Sequence, residues 1–394
     1  MTPSAPRSIL PPLSPDEVAH SARVAELIRA QVTAAGGWLS FERFMELALY
    51  APGLGYYSAG STKFGPGGDF VTAPEMSDLF SRCLARQCAE VLAQTGGEIL
   101  ELGAGTGRMA AVILTELAAR DALPQRYAIL EVSADLAARQ RARLAALPPA
   151  LRARLEWLER LPERRLDGVI LANEVLDALP FRRFALADGG LHEVGVAMTA
   201  GGGLRDAPAA PDPELARALS QLTSQVSLPA AGYLSEACLR VSPWIASLGE
   251  CLARGVVLLC DYGLPRVHYY HRERRTGTLR CHFRQRAHDD PYLNLGLQDI
   301  TAWVDFTRVA EAATAANLTV AGFVTQMAFL LGLGLPEMVA EAAPGSALYV
   351  RLAGEARRLL MPGEMGEAFK VMELSRAFDA PLSGFALQDL RGSL

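Results

Sequence analysis

A short apolar run ends in three closely spaced glycines at Glu98-Ile-Leu-Glu-Leu-Gly-Ala-Gly-Thr-Gly-Arg108. Residues 109–120 follow with helical periodicity, so the pattern predicts a strand, a tight turn and a helix. Gly103, Gly105 and Gly107 have no Cβ atoms, which allows a ligand to lie against backbone amides at the open end of a parallel sheet. The stretch therefore predicts a nucleotide-type cofactor site.

The spacing of these glycines distinguishes between cofactors. A dinucleotide fingerprint has its third glycine three positions after the second, where this chain has Arg108. Glu101 lies two residues before the first glycine, where a carboxylate would repel a pyrophosphate and attract an ammonium group. An ordinary strand-to-helix turn is the alternative interpretation of a glycine run taken alone. The Glu-x-Gly-x-Gly-x-Gly pattern resembles the first motif of class I S-adenosylmethionine-dependent methyltransferases, which implies cofactor contacts from Glu101, Gly103, Ala104, Gly105, Thr106 and Gly107.

Length and composition limit the class of protein. The chain has 394 residues, half of them hydrophobic, and a formal net charge of −5. A large core is therefore feasible, and coating of nucleic acid is disfavoured. No apolar stretch reaches the ~20 residues of a membrane span. We expect a cytoplasmic protein if the source is bacterial, or a mitochondrial one if it is eukaryotic, and the six scattered cysteines are expected to be reduced thiols.

The order of the expected elements predicts an α/β fold. Strands and helices alternate after the glycine turn, which favours a Rossmann-like, doubly wound, mainly parallel sheet of seven strands with a helical N-terminal extension and inserted segments. The expected regions are a helical extension with a glycine, proline and aromatic loop at 1–95, the cofactor-binding core at 96–180, an inserted hairpin and helix at 181–234, and the rest of the sheet at 235–394. Residues 266–290 are predicted to be a basic and aromatic loop that acts as a flap.

Element boundaries follow from periodicity and capping signals. Ser14-Pro15 and Ser40 predict the starts of two helices that end near 35 and 49. The other expected elements are helices at 77–94, 134–147, after 172, at 214–224, 235–254, 300–316 and up to 360, and strands at 127–132, 168–172, 256–261, 318–325 and 369–374.

Glu131 closes the second predicted strand, about twenty residues after the glycine turn, where an acid can accept hydrogen bonds from both ribose hydroxyls of an adenosine. A solvated carboxylate at a strand end is the alternative in isolation. Its place after this particular turn favours the binding role. We therefore assign Glu131 and the adjacent Val132 to the predicted cofactor site.

A polar segment, Asn173-Glu-Val-Leu-Asp-Ala-Leu-Pro180, begins where a later strand ends. Asn173, Glu174 and Asp177 are therefore expected at the carboxyl edge of the sheet, beside the cofactor. If the methyl acceptor is a guanidinium, carboxylates match its fork and favour one nitrogen as the nucleophile. The alternative is a helix-capping cluster. An Asn-Pro-Pro-Tyr box is missing here, which disfavours methylation of a flipped base.

The predicted flap holds four of the six histidines among tyrosines and arginines. Their spacing with Cys281 fits no zinc pattern, so we expect no metal. The acidic net charge disfavours nucleic-acid contact. We interpret the segment as a substrate-side flap, with a solvated loop as the alternative.

Several sequence blocks form a combination that is more specific than any one motif. They are Gly53-Leu-Gly-Tyr-Tyr-Ser58, Phe64-Gly-Pro-Gly-Gly-Asp-Phe-Val-Thr-Ala-Pro-Glu75, the glycine turn, residues 172–180, Asp261-Tyr-Gly263, Gly277-Thr-Leu279 and Asp299-Ile-Thr-Ala-Trp-Val-Asp-Phe306. Taken together, these blocks resemble the MidA-like family, known in eukaryotes as a mitochondrial complex I assembly factor with protein arginine methyltransferase activity. One departure is Trp303, where the family form has histidine.

The resemblance implies S-adenosylmethionine as cofactor and methylation of an arginine on a protein partner, such as a respiratory complex I subunit. It places the glycine turn and Glu131 on the cofactor side, and Asn173, Glu174 and Asp177 on the substrate side. Two other hypotheses remain. One is a non-catalytic assembly or scaffold protein that keeps the cofactor pocket, which the tryptophan at 303 favours. The other is a methyltransferase for a small molecule.

Overall fold

The computed structural model describes residues 10–59, 72–187 and 190–394. The helices are α1 (Pro15–Ala34), α2 (Phe41–Tyr50), α3 (Ala73–Met76), α4 (Asp78–Thr95), α5 (Arg108–Ala119), α6 (Ala134–Leu144), α7 (Pro149–Arg152), α8 (Pro213–Gln225), α9 (Val241–Cys251), α10 (Arg266–Tyr269), α11 (Phe306–Ala315), α12 (Gln326–Gly332), α13 (Leu335–Ala340), α14 (Ala347–Leu360) and α15 (Met365–Ala368). Most of the predicted aromatic and glycine loop before Glu75 falls on 60–71, outside the described residues.

The strands are β1 (Glu98–Leu102), β2 (Tyr127–Leu130), β3 (Leu155–Leu158), β4 (Leu166–Asn173), β5 (Arg182–Ala187), β6 (Gly190–Met198), β7 (Leu204–Ala209), β8 (Tyr233–Ala237), β9 (Leu252–Leu264), β10 (Arg280–Phe283), β11 (Arg286–His288), β12 (Asp299–Thr301), β13 (Val304–Asp305), β14 (Thr319–Thr325) and β15 (Phe369–Arg376).

The main sheet has the strand order β14-β15-β9-β4-β1-β2-β3, with the short β13 paired to the end of β9. Strands β3, β2, β1, β4 and β9 run parallel, whereas β15 is antiparallel to both of its neighbours. The strand order reverses between β1 and β4, and ligands of open α/β sheets bind at such a switch point. The predicted α/β class, with seven mainly parallel strands, is confirmed.

The central strands are buried over most of their length because helices cover both faces of a parallel sheet. All five residues of β1 are buried, and so is the run Val256–Cys260 within β9. Helices α4 and α5 contribute Leu84, Val91 and Ile113 to the same core. This packing fixes the carboxyl ends of β1, β2, β4 and β9, where the candidate site lies.

Helix starts were predictable from capping residues. Ser14 accepts a hydrogen bond from the Glu17 amide and Glu17 reaches back to the Ser14 amide, which completes a capping box ahead of α1. Ser40 caps α2 through the Arg43 amide. Both predicted N-terminal helices are confirmed within a residue or two at each end.

The chain divides into two compact units. One comprises Met1–Val71, Ala178–Leu239 and Tyr270–Ala302, and the other comprises Thr72–Asp177, Arg240–Tyr269 and Trp303–Leu394. The second unit contains the main sheet and all of the candidate site. The first contains α1, α2, the antiparallel sheet β7-β6-β5-β8 and the small sheet β11-β10-β12.

Several element predictions in the inserted part of the chain were wrong. The expected hairpin is present as β5 and β6, but β7 and β8 extend it to a four-stranded sheet. The helix expected at 235–254 starts only at Val241, because 233–237 pairs with β5 as strand β8. Ser235 and Glu236 are both buried there, so tertiary pairing overrides their local preference.

The predicted loop at 266–290 was also wrong. It contains α10 and the antiparallel pair β10 and β11, and β10 also pairs with β12. Arg284 and Gln285 join β10 to β11 with φ angles of 47° and 61°. Such a turn normally uses asparagine or glycine, so the sequence lacked the usual hairpin signal. The edge strand β3, which is only partly buried, was missed, and α11 begins at Phe306 rather than at 300.

Three further expectations concern a membrane span, a metal site and the state of the cysteines. Among the described helices, none combines the length and apolar character needed to cross a bilayer. Within the same residues, no group of three or more histidine, cysteine or acidic side chains is arranged to hold a metal ion. The six cysteines are free thiols, and five of them are buried.

Candidate active site

The glycine turn joins β1 to α5 at the switch point of the main sheet. Gly103, Gly105 and Gly107 have positive φ angles of 66°, 53° and 80°. Residues with a Cβ atom rarely adopt this backbone conformation. A Cβ on Gly103 would lie 3.5 Å from Val175, and one on Gly107 would lie 3.4 Å from the Gln140 Cα atom. The turn is therefore a bare backbone cradle with walls on two sides.

Glu101 lies on β1, two residues before this cradle, and is almost completely buried. The Tyr127 hydroxyl donates a hydrogen bond of 2.7 Å to its Oε2 atom. Its Oε1 atom accepts no hydrogen bond from the residues that the structure describes. Burial raises the pKa of Glu101 to about 7, the charge of Glu131 adds to this, and the Tyr127 hydrogen bond opposes it. A buried carboxylate with a spare oxygen fits a cationic ligand group, such as the ammonium of an amino acid.

Glu131 directly follows β2 and is held from two sides. The Ser133 amide donates to its Oε1 atom at 2.9 Å, and the Gln140 side chain donates to its Oε2 atom at 2.9 Å. The same Gln140 amide group reaches the Gly105 carbonyl oxygen at 3.1 Å, and Trp157 donates to Gln140 Oε1. Gln140 thus connects the glycine turn with the predicted ribose-binding acid. Sequence analysis missed Gln140, which lies on a helix face with no local motif.

Val132 is the most exposed of the large hydrophobic residues described, with 76% of its surface accessible. It follows Glu131 at the carboxyl end of β2, next to the glycine turn. An isolated apolar side chain on a surface needs no explanation, but here it provides an apolar face beside the predicted ribose position. This placement suits the flat base of an adenosine.

We call residues 173–177 the acidic turn. Asn173 ends β4 between β1 and β9, and Glu174 turns the chain with a φ of 52°, an uncommon conformation for a residue with a side chain. The Glu174 amide donates to the Cys260 carbonyl at 2.9 Å. Residues 174–179 form bends and turns, so the predicted helix after the strand, and with it the helix-capping alternative, were wrong.

The carboxyl end of β9 adds two residues to the acidic turn. Asp261 is buried, and its carboxylate accepts hydrogen bonds from the Leu176, Asp177 and Tyr262 amides. The Tyr262 hydroxyl donates to Asp177 Oδ2 at 2.5 Å. Burial and the charges of Asp177 and Glu174 raise the pKa of Asp261 well above its usual range. The sequence interpretation gave Asp261 and Tyr262 no role, since the pairing of β4 with β9 is not visible locally.

A third segment reaches the glycine turn from helix α3. The Thr106 hydroxyl donates to the Glu75 carboxylate, and Arg108 donates to the Glu75 carbonyl oxygen. Arg108 also pairs with Asp78 at 2.9 Å. The residue that excluded the dinucleotide fingerprint thus ties the start of α5 to the preceding helices.

Comparison with known proteins agrees with this geometry. Residues 83–324 match the model of a protein family described as "Putative S-adenosyl-L-methionine-dependent methyltransferase". A Burkholderia thailandensis protein, crystallised with bound S-adenosyl-homocysteine, is 43% identical with a TM-score of 0.93, and the match covers 98% of this chain and 100% of that one. A second crystal structure from the same organism has 41% identity and a TM-score of 0.91, with the same coverage of both chains.

Among curated proteins, the chain is 28% identical over 387 residues to the Drosophila melanogaster "Protein arginine methyltransferase NDUFAF7 homolog, mitochondrial", with 89% of this chain and 84% of that protein covered. It is 26% identical over 401 residues to the Mus musculus "Protein arginine methyltransferase NDUFAF7, mitochondrial", with 92% and 87% covered. The family match, the sheet order and the glycine cradle agree. The chain belongs to this family of S-adenosyl-L-methionine-dependent methyltransferases, and S-adenosyl-L-methionine is its cofactor.

Proposed function

We propose that this methyltransferase acts on an arginine side chain of a protein partner. The observation that carries the proposal is the acidic turn, which sets Glu174 and Asp177 at the end of β4, next to the strand that enters the glycine turn. A cluster of carboxylates in a binding site calls for a cationic acceptor. The eukaryotic relatives are named as protein arginine methyltransferases, which supports the choice of acceptor.

The proposed cofactor side uses four features already described. Glu101 holds the methionine ammonium through its buried carboxylate, and the backbone from Gly103 through Ala104, Gly105 and Thr106 to Gly107 lies against the cofactor. Glu131 accepts the ribose hydroxyls while Gln140 keeps its carboxylate in place. Val132 covers one face of the adenine. Asn173 lies between the two sides, at the end of β4.

The proposed chemistry follows from the properties of a guanidinium. When bound, S-adenosylmethionine supplies an activated methyl group. Arginine stays protonated up to a pKa above ~12, so the carboxylates bind the charged form and direct lone-pair density to one nitrogen. The cofactor would give up its methyl group by breaking the S–C bond and leave as S-adenosylhomocysteine with that electron pair. Glu174 or Asp177 would accept the N–H proton that the methylated guanidinium nitrogen loses. These two residues also orient the acceptor, since transfer needs a near in-line approach.

The proposed partner and compartment are less specific. We propose that the protein partner is a subunit of a respiratory complex, such as complex I. The proposed compartment is the cytoplasm in a bacterium or the mitochondrion in a eukaryote. The eukaryotic relatives are named as mitochondrial proteins, which supports the second alternative.

The proposal is tested by incubating cell extract with methyl-labelled cofactor and the purified enzyme. Wild type is compared with Glu174→Gln and with Glu214→Gln, an exposed glutamate in the first turn of α8. We expect wild type and the control to label the same protein, methylarginine to be found in it by mass spectrometry, and Glu174→Gln to label it at least 100-fold more slowly.

Other outcomes separate the alternatives. Equal labelling by wild type and Glu174→Gln would refute the role of Glu174. Label in the metabolite fraction alone would identify a small-molecule methyltransferase. Cofactor binding without any transfer by wild type would identify a scaffold protein that has retained its pocket.

A further inference from the structure

Three acidic side chains meet at the ends of β4 and β9, but they are held in different ways. Glu174 and Asp177 belong to the acidic turn itself, whereas Asp261 lies on the neighbouring strand and is 1% exposed. A carboxylate this deeply buried costs free energy unless its oxygens are satisfied. The groups that donate hydrogen bonds to Asp261 therefore indicate which part of the site its carboxylate stabilises.

Both oxygens of Asp261 accept backbone amides, and two of the three donors belong to the acidic turn. Oδ2 accepts from Leu176 at 2.9 Å and from Asp177 at 3.3 Å. Oδ1 accepts from Tyr262 at 2.9 Å. The carboxylate thus bridges β9 to the turn, in addition to the ladder bond from the Glu174 amide to Cys260.

Tyr262 contacts the same turn through its side chain. Its hydroxyl donates a short hydrogen bond to Asp177 Oδ2, and its ring packs edge-on against Phe369 with centroids 5.4 Å apart. Packing against Phe369 therefore fixes the orientation of the Tyr262 ring independently of its hydrogen bond to Asp177. Consecutive residues of β9 consequently hold Asp177 by its main chain and by its side chain.

We propose that Asp261 is a positioning residue that fixes the acidic turn, and that Tyr262 is a second one that sets the orientation of the Asp177 carboxylate. Asparagine has one acceptor oxygen, so its amide nitrogen would face either the Tyr262 N–H or the two N–H groups of the turn. In either orientation at least one buried N–H loses its acceptor, and the bridge from β9 to the turn is broken on one side. The proposal rests on the proposed function only where it takes Glu174 and Asp177 to face the methyl acceptor.

The first test follows the turn without any acceptor. Amide hydrogen exchange is compared for wild type, Asp261→Asn, Tyr262→Phe and the control Asp212→Asn, which changes a carboxylate that also accepts two backbone amides but caps α8. We expect exchange in residues 174–177 to be at least tenfold faster in Asp261→Asn alone. Binding of S-adenosylhomocysteine, measured by calorimetry, should stay within threefold in all four proteins.

The second test uses the labelled acceptor protein and separates kcat from KM. For Asp261→Asn we expect kcat to fall about 100-fold, since small misplacements of catalytic groups have effects of that size. For Tyr262→Phe, at saturating S-adenosylmethionine so that Glu101 does not limit the rate, we expect the acid limb of kcat/KM for the acceptor to move upward by about one pH unit, because Asp177 loses a donor that favours its ionised form. The control should match wild type.

Unchanged exchange at 174–177 in Asp261→Asn would overturn the role of Asp261, as would an equal rise of exchange throughout the main sheet. An unmoved acid limb in Tyr262→Phe would overturn the role of Tyr262. If the labelled residue is not arginine, the proposed function fails, and the exchange result still decides whether Asp261 positions the turn.

Discussion

Lowering the pH should weaken cofactor binding through one residue, Glu101. Burial raises its pKa to about 7 in the cofactor-free protein, so at pH 6 the carboxyl is mostly neutral. An ammonium group placed against its free Oε1 atom favours the ionised form and so depresses this pKa. Binding then releases a proton, and affinity rises with pH until Glu101 is ionised before the ligand arrives.

The size of the effect follows from the ionised fraction. With a pKa of about 7, that fraction is about 0.09 at pH 6.0 and about 0.76 at pH 7.5. The affinity for the cofactor should therefore fall about eightfold between these pH values, or about 1.3 kcal/mol. At pH 6.0 nearly one proton should be released for each molecule bound.

Calorimetry with S-adenosylhomocysteine at pH 6.0, 6.75 and 7.5 measures both quantities, with buffers of different ionisation enthalpy to count the protons. In Glu101→Gln the pH dependence should disappear, and affinity should be weak throughout. Glu373→Gln is the matched control, because the buried Glu373 on β15 also has its pKa raised to about 7 but has Arg391 and Glu90 as charged neighbours. It should retain the wild-type slope. A flat profile in wild type, or an unchanged slope in Glu101→Gln, would refute the reasoning.

Three substitutions test the cradle and the sheet around it. Gly105→Val should abolish cofactor binding in the same calorimetric assay, because a branched side chain is strained at a φ of 53° and would occupy the ligand's space. The control Gly36→Val has a φ of 78° and no atom near its Cβ, and it should bind the cofactor normally. Gln140→Ala should lower cofactor affinity at least tenfold, because the Glu131 carboxylate loses a hydrogen-bond donor. The control Gln221→Ala, at an exposed position on α8, should not change the affinity. Equal affinities of wild type and Gln140→Ala would show that Ser133 alone orients Glu131. Gly168→Ala should destabilise the fold by more than about 2 kcal/mol in urea unfolding, because its Cβ would lie 2.1 Å from the Glu98 carbonyl oxygen, while Gly363→Ala has open space and should stay within about 0.5 kcal/mol.

Much of the main sheet could be predicted because its signals are local. Apolar runs, the glycine turn and serine caps each act within a few residues, and they placed β1, β2, β4, β9, β14 and β15. The strands that were missed depend on distant partners. Strand β8 contains residues that could equally form a helix and is a strand only because β5 lies beside it, and β10 and β11 meet at a turn without glycine.

The candidate site shows the same division. Glu101 lies near the end of β1, and Glu131 and the acidic turn lie where β2 and β4 end, so their place at one edge of the sheet follows from the parallel order alone. Gln140, Asp261 and Tyr262 reach the site by pairings that the sequence does not display. Residues proposed to touch a ligand could thus be predicted from motifs, whereas residues proposed to hold them in place become visible only in the three-dimensional fold.

The two compact units alternate along the chain in six segments, so the backbone passes between them five times. Neither unit is complete when the ribosome has made the first half of the protein. Strand β9 gains its neighbour β15 only near the end of synthesis, and until then it exposes an apolar edge of the kind that aggregates. We therefore expect truncation before residue 369 to yield insoluble protein rather than a smaller enzyme.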